Sequence, residues 1–246
     1  MTLRSVFDVM KRVRRWRLLL LVAIATAGPL TQAATPAPSP SDATYLLTRG
    51  VMTLGEARFQ LTQQTDPNCW RYEYRAKPSG LARLFIGEVT ERSDFCMADG
   101  KVLSQSFDFK RADKPKDDFS LRFNWTDGVV RSSAGEMRPL ETGMVDRLAM
   151  QIAVQNWVVS RAGQPGPEEF SVTKVEDERA KTYRFRIMAR EAVQTPAGNF
   201  DTVRVERVND KKKSTVFWLA PAKGYMAVRV QQTKDGDEQI KMVLKN

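Results

Sequence analysis

Chemistry in this chain falls to carboxylates, amines and two thiols, because its 246 residues contain no histidine. That absence removes Ser-His and Cys-His nucleophile systems, nearly every catalytic zinc site and the usual near-neutral general base. With only two cysteines, iron–sulfur clusters and all-thiolate zinc sites go as well. Paired carboxylates suit acid–base work on glycosidic bonds. The candidates, Asp117-Asp118 and Glu168-Glu169, are adjacent residues in polar stretches, and neighbours on an extended strand point to opposite sides. Asp235-Gly236-Asp237 reads as a turn, too sparse in ligands for a calcium loop, and Lys211-Lys212-Lys213 as a solvated hairpin tip. The expectation is a non-enzymatic protein without catalytic residues, metal site or cofactor.

The two thiols lead back to the compartment. Residues 1–33 have the pattern of a secretory signal: a basic segment with Lys11, Arg12, Arg14, Arg15 and Arg17, an apolar run from Leu18 to Ala27, then Gly28-Pro29 and small residues near Ala33. The apolar run is about half the ~20 residues that span a bilayer, so no stable transmembrane segment is expected after cleavage. A periplasmic location follows. Without the six Lys or Arg and one Asp of residues 1–33, the remaining 33 bases and 28 acids carry a net charge of +5 rather than +10. Nucleic acid is therefore not an expected partner. Residues 34–43, rich in Pro and Ser, read as a linker and residues 44–246 as a single domain.

In an oxidising space a Cys69–Cys96 disulfide is the expected state. The two positions are symmetric about Ala82-Arg83. Strands running Cys69 to Lys77 and Gly87 to Cys96, reversing after Pro78-Ser79-Gly80, place them opposite each other at a spacing a bridge accepts.

From Thr44 onward the dominant pattern is alternation of apolar and polar residues with period two. Trp70, Tyr72 and Tyr74 share one face, and Phe119, Leu121, Phe123 and Trp125 another. Tyr183, Phe185 and Ile187 continue it, as do Val228 and Val230. Asp99-Gly100, Asp127-Gly128 and Asp235-Gly236 supply hairpin turns between such runs. About eleven or twelve antiparallel strands result. Val145 to Arg161 instead has a period near 3.6, is apolar on most sides apart from Arg147, Gln151 and Gln155, and stops at Ala162-Gly163. A mainly β fold is expected, a strongly curved antiparallel sheet or open barrel wrapping this one helix; the alternative is a two-sheet sandwich with the helix at one end.

Three sets of residues carry a resemblance. Tyr45-Leu46-Leu47 through Gly50-Val51 to Leu54-Gly55-Glu56-Ala57 is the first; Thr195-Pro196-Ala197-Gly198-Asn199-Phe200-Asp201-Thr202 is the second. The third is Phe217-Trp218-Leu219-Ala220-Pro221 with Val228-Arg229-Val230. Together they resemble an exported bacterial family, domain of unknown function 3108, with Ala227 standing where a proline is expected. The resemblance implies a periplasmic, barrel-like antiparallel fold similar to a capsule-associated lipoprotein and, in outline, to lipoprotein carriers. It implies no activity and no catalytic residues. The quoted motifs also have structural readings of their own, as a turn at Thr195–Gly198 and a strand end at Pro221.

Function then rests on whether the curved sheet is filled. Trp70, Tyr72, Phe119, Phe123, Trp125 and Trp157 are candidate ligand-binding residues for a lipid, a lipoprotein acyl chain or another apolar envelope molecule; the same stripes also serve as plain core. The alternative partner is an envelope polysaccharide or a secretion complex, met by Arg71, Arg75, Arg184, Arg186 and Arg204 on the wet faces.

Overall fold

In this computed structural model the described residues are 38–177 and 179–246; the proposed signal segment and residues 34–37 of the linker lie outside them. The alternation becomes a wall of fifteen strands joined edge to edge. They are β1 (Ser41–Arg49), β2 (Met52–Gln63), β3 (Cys69–Pro78), β4 (Val89–Ala98), β5 (Lys101–Arg111), β6 (Phe119–Asn124), β7 (Val129–Ser132) and β8 (Met137–Pro139) in the first half. The second half holds β9 (Met144–Val145), β10 (Glu169–Val175), β11 (Ala180–Thr195), β12 (Gly198–Arg207), β13 (Lys213–Ala220), β14 (Met226–Lys234) and β15 (Asp237–Leu244). The count exceeds the eleven or twelve read from the sequence because β7, β8 and β9 span four, three and two residues, too short to show a period. β1 begins at Ser41, so residues 41–43, which composition assigned to the linker, are paired with β2.

Each strand pairs with its chain neighbours except β8 with β9, and β1 closes on β15 through Tyr45 opposite Leu244. The sheet therefore starts at β8, passes through β1 and β15, and ends at β9. Only four residues separate those two edges in the chain, Leu140 to Gly143, so the sheet curls without closing, and β9 packs against β5. The seam carries no ladder. It is tied by Asp177, whose carboxylate accepts from Ser132 Oγ (2.6 Å) and whose carbonyl accepts from Arg138 (3.0 Å).

Inside runs the one α-helix among the described residues, α1 (Ala149–Ser160). It is shorter than the Val145–Arg161 span expected from periodicity, because Val145 pairs with Lys174 in β9 and Asp146 turns the chain inward. Ala149, Ile152, Val154 and Val158 are buried in one cluster with Trp70, Phe95, Phe185, Phe217 and Val230 from the encircling strands. Phe95, Phe107, Phe185 and Leu121 are almost entirely buried, each worth roughly 1.5–3 kcal/mol. Gly163 ends the helix with φ +64, and its amide donates to Val158 O (2.9 Å); a Cβ there would sit 2.7 Å from Val203 Cγ2.

The quoted motifs are explained by this wall. Gly55 faces Pro78 across β2–β3, where a Cβ would lie 2.1 Å from Lys77 O. After the bulge at Ile187/Ala189 the far part of the β11–β12 hairpin folds over β14. Its tip is the Thr195–Thr202 motif. Glu191 there accepts a hydrogen bond from the Trp218 indole, Gln194 O accepts from Arg229 (3.1 Å), and Val193 joins Trp218, Ala220 and Val228 in a second cluster. Cys69 and Cys96 stand opposite each other in the β3–β4 ladder and are bridged.

Candidate functional site

Polar residues at inward positions mark the site. β4 alternates Glu91, Ser93 and Phe95 inward with exposed Arg92 between, and β5 turns Val102, Ser104 and Phe107 inward. The chain entering α1 brings Asp146 between these two strands. Its Oδ2 accepts from Ser93 Oγ (2.7 Å) and Ser104 Oγ (2.6 Å), and its Oδ1 accepts from the amides of Leu148 and Ala149 (both 2.9 Å). Its own amide donates to Ser104 Oγ at 3.0 Å. Asp146, Ser93 and Ser104 are wholly buried. Burial pushes the Asp146 carboxyl above the ordinary carboxylate range, opposed by its four donors. This knot fixes where the helix begins.

The next residue, Arg147, reaches Glu91: Nε lies 3.1 Å from Oε2 and Nη2 2.8 Å from Oε1. Its guanidinium also lies over the rings of Phe109 (4.9 Å) and Phe107 (5.8 Å). Burial raises the Glu91 carboxyl above its usual range, and Arg147 only partly offsets this. A carboxyl raised in the folded chain binds its proton more tightly there than in the unfolded chain. Its contribution therefore erodes stability as pH climbs above about 4.3, the ordinary Glu value. Urea unfolding at a series of pH values should show a flatter decline on the alkaline side for Glu91→Gln than for the unaltered chain. An identical slope would show that Glu91 does not titrate in this window.

Glu91 and Arg147 open onto a cavity of about 510 Å³ between the first turn of α1 and the inner faces of β2–β4 and β10–β15. The helix closes the end of the barrel where Gln155 donates to Gly224 O (2.7 Å), so the cavity opens at the other. Its wall is mixed: Phe59, Tyr74, Met150, Phe185, Phe217 and Met242 stand among Gln151, Ser214, Thr215, Gln232 and Thr233. Its cations are Arg147, Lys174, Arg207, Lys213 and Lys234, against the single carboxylate of Glu91. Lys174 is held by Glu176 (2.7 Å) and Arg207 by Asp210, and both cations flank the Tyr183 ring. The volume falls within the ~300–1,000 Å³ of small-molecule sites. Among the described residues no group of three or more metal-ligating side chains converges.

The aromatic residues singled out from the sequence are not gathered here. Trp70 and Phe123 are core residues. Phe119 packs on Phe107 and Phe109, Trp125 donates from Nε1 to Ser104 O (2.8 Å), and Trp157 stacks on Phe170. Tyr72 borders a separate void of about 30 Å³ beside Val154 and Tyr45, room for about one water. The groups the sequence reading missed are Glu91, Arg147, Lys174 and Arg207. For Glu91, Lys174 and Arg207 the one signal was a charge at an inward position of an otherwise alternating strand; Arg147, in the turn before α1, had none.

The wet-face arginines each have a carboxylate within ion-pair reach, Arg184 and Arg186 sharing one. Arg71 pairs with Asp94 (2.7 Å), Arg75 with Glu88 (3.2 Å), Arg184 and Arg186 with Glu169, and Arg204 with Glu206 (3.4 Å). A second hollow of about 510 Å³ lies on the outer face of β1–β5, where Arg58 pairs with Asp42 and Arg92 with Asp108.

Comparison with known proteins agrees with this architecture. The family described as "Protein of unknown function (DUF3108)" matches residues 44–245. No curated protein matches the chain. Among solved structures, a beta-barrel-like protein of domain of unknown function DUF1849 from Brucella abortus aligns with a TM-score of 0.55. The alignment covers 85% of this chain and 96% of that one at 14% identity, a likeness of fold.

Proposed function

Because the chain belongs to the DUF3108 family, whose description assigns no activity, we propose a function from its own cavity: non-enzymatic binding of an amphipathic anion, a lipid with a negatively charged head, inside the curved sheet. The observation that carries this reading is the open cavity of about 510 Å³, in which large apolar side chains stand beside five cations and one carboxylate, with Lys213 and Lys234 at its open end. An acyl chain would lie against Phe59, Phe185, Phe217 and Met242, losing its contact with water. The head group would meet Lys213 and Lys234, which face each other across β13–β14 at the open end. The helix acts as a plug for one end and a floor for the ligand. The disulfide accords with export to the periplasm, where envelope lipids are the available cargo.

A polysaccharide site on the outer face is the weaker reading, since its arginines already have carboxylate partners and their charge is spent locally.

The test is retention of phosphatidylglycerol carrying a fluorescent acyl chain by the delipidated protein on gel filtration, with mass spectrometry of whatever co-purifies. Thr215→Trp, which fills the cavity from β13 with a residue strands accept, should cut retention roughly tenfold, about 1.4 kcal/mol, and leave the melting temperature close to that of the unaltered chain. Retention equal in both, or none in either, would remove the cargo reading.

A further inference from the structure

The open end of the barrel carries an apolar tip that its own fold does not cover. Between β3 and β4 the chain makes a single 3-10 turn, Gly80–Leu84, on which Leu81, Leu84 and Phe85 are 79%, 73% and 79% exposed. The β1–β2 turn adds Val51 and Met52, also exposed. These two loops touch: Ser79 donates to Leu54 O (2.9 Å), and Gly55 faces Pro78 in the ladder. Both project from the end at which the cavity opens. The Gly50 amide donates to Glu238 Oε1 (2.8 Å), beside Gln239 and Lys234 of the cavity lining. Soluble chains seldom leave several large apolar side chains exposed side by side without a partner.

Charge identifies the partner. Arg49, Lys77 and Arg83 are interleaved with the apolar residues. Of the carboxylates nearest these loops, Glu56 pairs with Lys245, Glu88 with Arg75, Asp113 with Arg111 and Glu238 with Lys241; Asp237 stands opposite Lys234 in the β14–β15 ladder. Lys213 and Lys234 lie at the same end. Protruding leucine and phenylalanine side chains flanked by cations that have no ion-pair partner among the described residues fit the boundary of an anionic bilayer, where the rings enter the acyl region and the cations meet phosphate. A protein partner would instead need a broad complementary surface around these few tips.

We propose that this tip docks the protein on an anionic phospholipid bilayer, with the cavity mouth facing the lipid. Docking stands on the exposed loops and does not require that the cavity carry cargo. Thr215→Trp would leave it intact.

The full chain should co-sediment with vesicles of phosphatidylcholine and phosphatidylglycerol, and deuterium uptake over residues 79–88 should slow on those vesicles but not on phosphatidylcholine alone. The double variant Leu84→Ser, Phe85→Ser should partition roughly tenfold less. It should melt like the unaltered chain, since both side chains are in water already. Arg83→Glu should weaken binding to the anionic vesicles only. Residues 1–33 are common to all these chains, so the difference reports the tip. Three results would overturn docking: unchanged exchange over 79–88 on anionic vesicles, equal partitioning of the double variant, or slowing of 79–88 with protein concentration in the absence of lipid, which would assign the tip to a second copy of the chain.

Discussion

Asp146→Ala is expected to lower the stability of the fold by about 3–5 kcal/mol, the range for breaking a buried charged network by removing one partner. The carboxylate is the acceptor for two hydroxyls and two amides in a place without water. Alanine leaves all four donors facing a void, each with its own desolvation cost of about 1–3 kcal/mol. Part of that sum is returned, because the carboxylate is itself held against an unfavourable burial. At roughly 2–4 °C per kcal/mol for a chain of this size, the melting temperature should drop by about 6–20 °C. Asp146→Asn should cost less, since its carbonyl still accepts from the helix amides while the serine hydroxyls rotate to new partners. Thermal unfolding followed by circular dichroism decides the matter. A fall of only a degree or two for alanine would mean that helix packing, not the knot, positions α1.

Replacing both cysteines by serine should cost about 3.5 kcal/mol. The bridge joins residues 27 apart, and in the chain-entropy account a loop of that length restricts the unfolded ensemble by about this amount. The corresponding fall in melting temperature is roughly 7–14 °C. Trp70 and Phe95, which adjoin the two cysteines in β3 and β4, are buried and should hold the ladder in register without it. Lipid retention at 25 °C should therefore survive, because the cavity opens at the other end of these strands. Denaturant titration with and without reductant measures the difference. A cost under about 1 kcal/mol would show that the reduced chain keeps this hairpin closed when otherwise unfolded.

The architecture was legible because alternation reports a wall with one dry face, whatever its closure. Cys69 and Cys96 fell opposite each other because hairpin register is arithmetic once the turn is placed. The helix was legible from Ile152 to Val158, where burial is nearly all round, but its start was not. Val145 is as apolar as a helical residue, yet its backbone completes the sheet edge. Asp146, two and three residues upstream of the amides it satisfies, was the available start signal. The site was the least legible part. Large aromatic residues were the obvious candidates, and most of them fill the core, because their area is worth more in contact with protein than lining open space. What lines the cavity is mixed: ordinary apolar residues with Glu91, Arg147, Lys174 and Arg207 set among them. Strand pairing turned Glu91, Lys174 and Arg207 inward, and the turn into α1 did the same for Arg147.

The pairing of Tyr45 with Leu244 fixes the order in which the wall can be built. β1 reaches β2 at once through a tight turn, but its other flank stays bare until the final strand has been made. No early fragment can seal itself. A nascent chain must therefore keep a long hydrogen-bonding edge away from its neighbours until its C-terminal residues arrive. Such a topology makes β15 the strand whose removal bares the flank of β1, so losing Asp237–Leu244 costs far more than their modest number suggests.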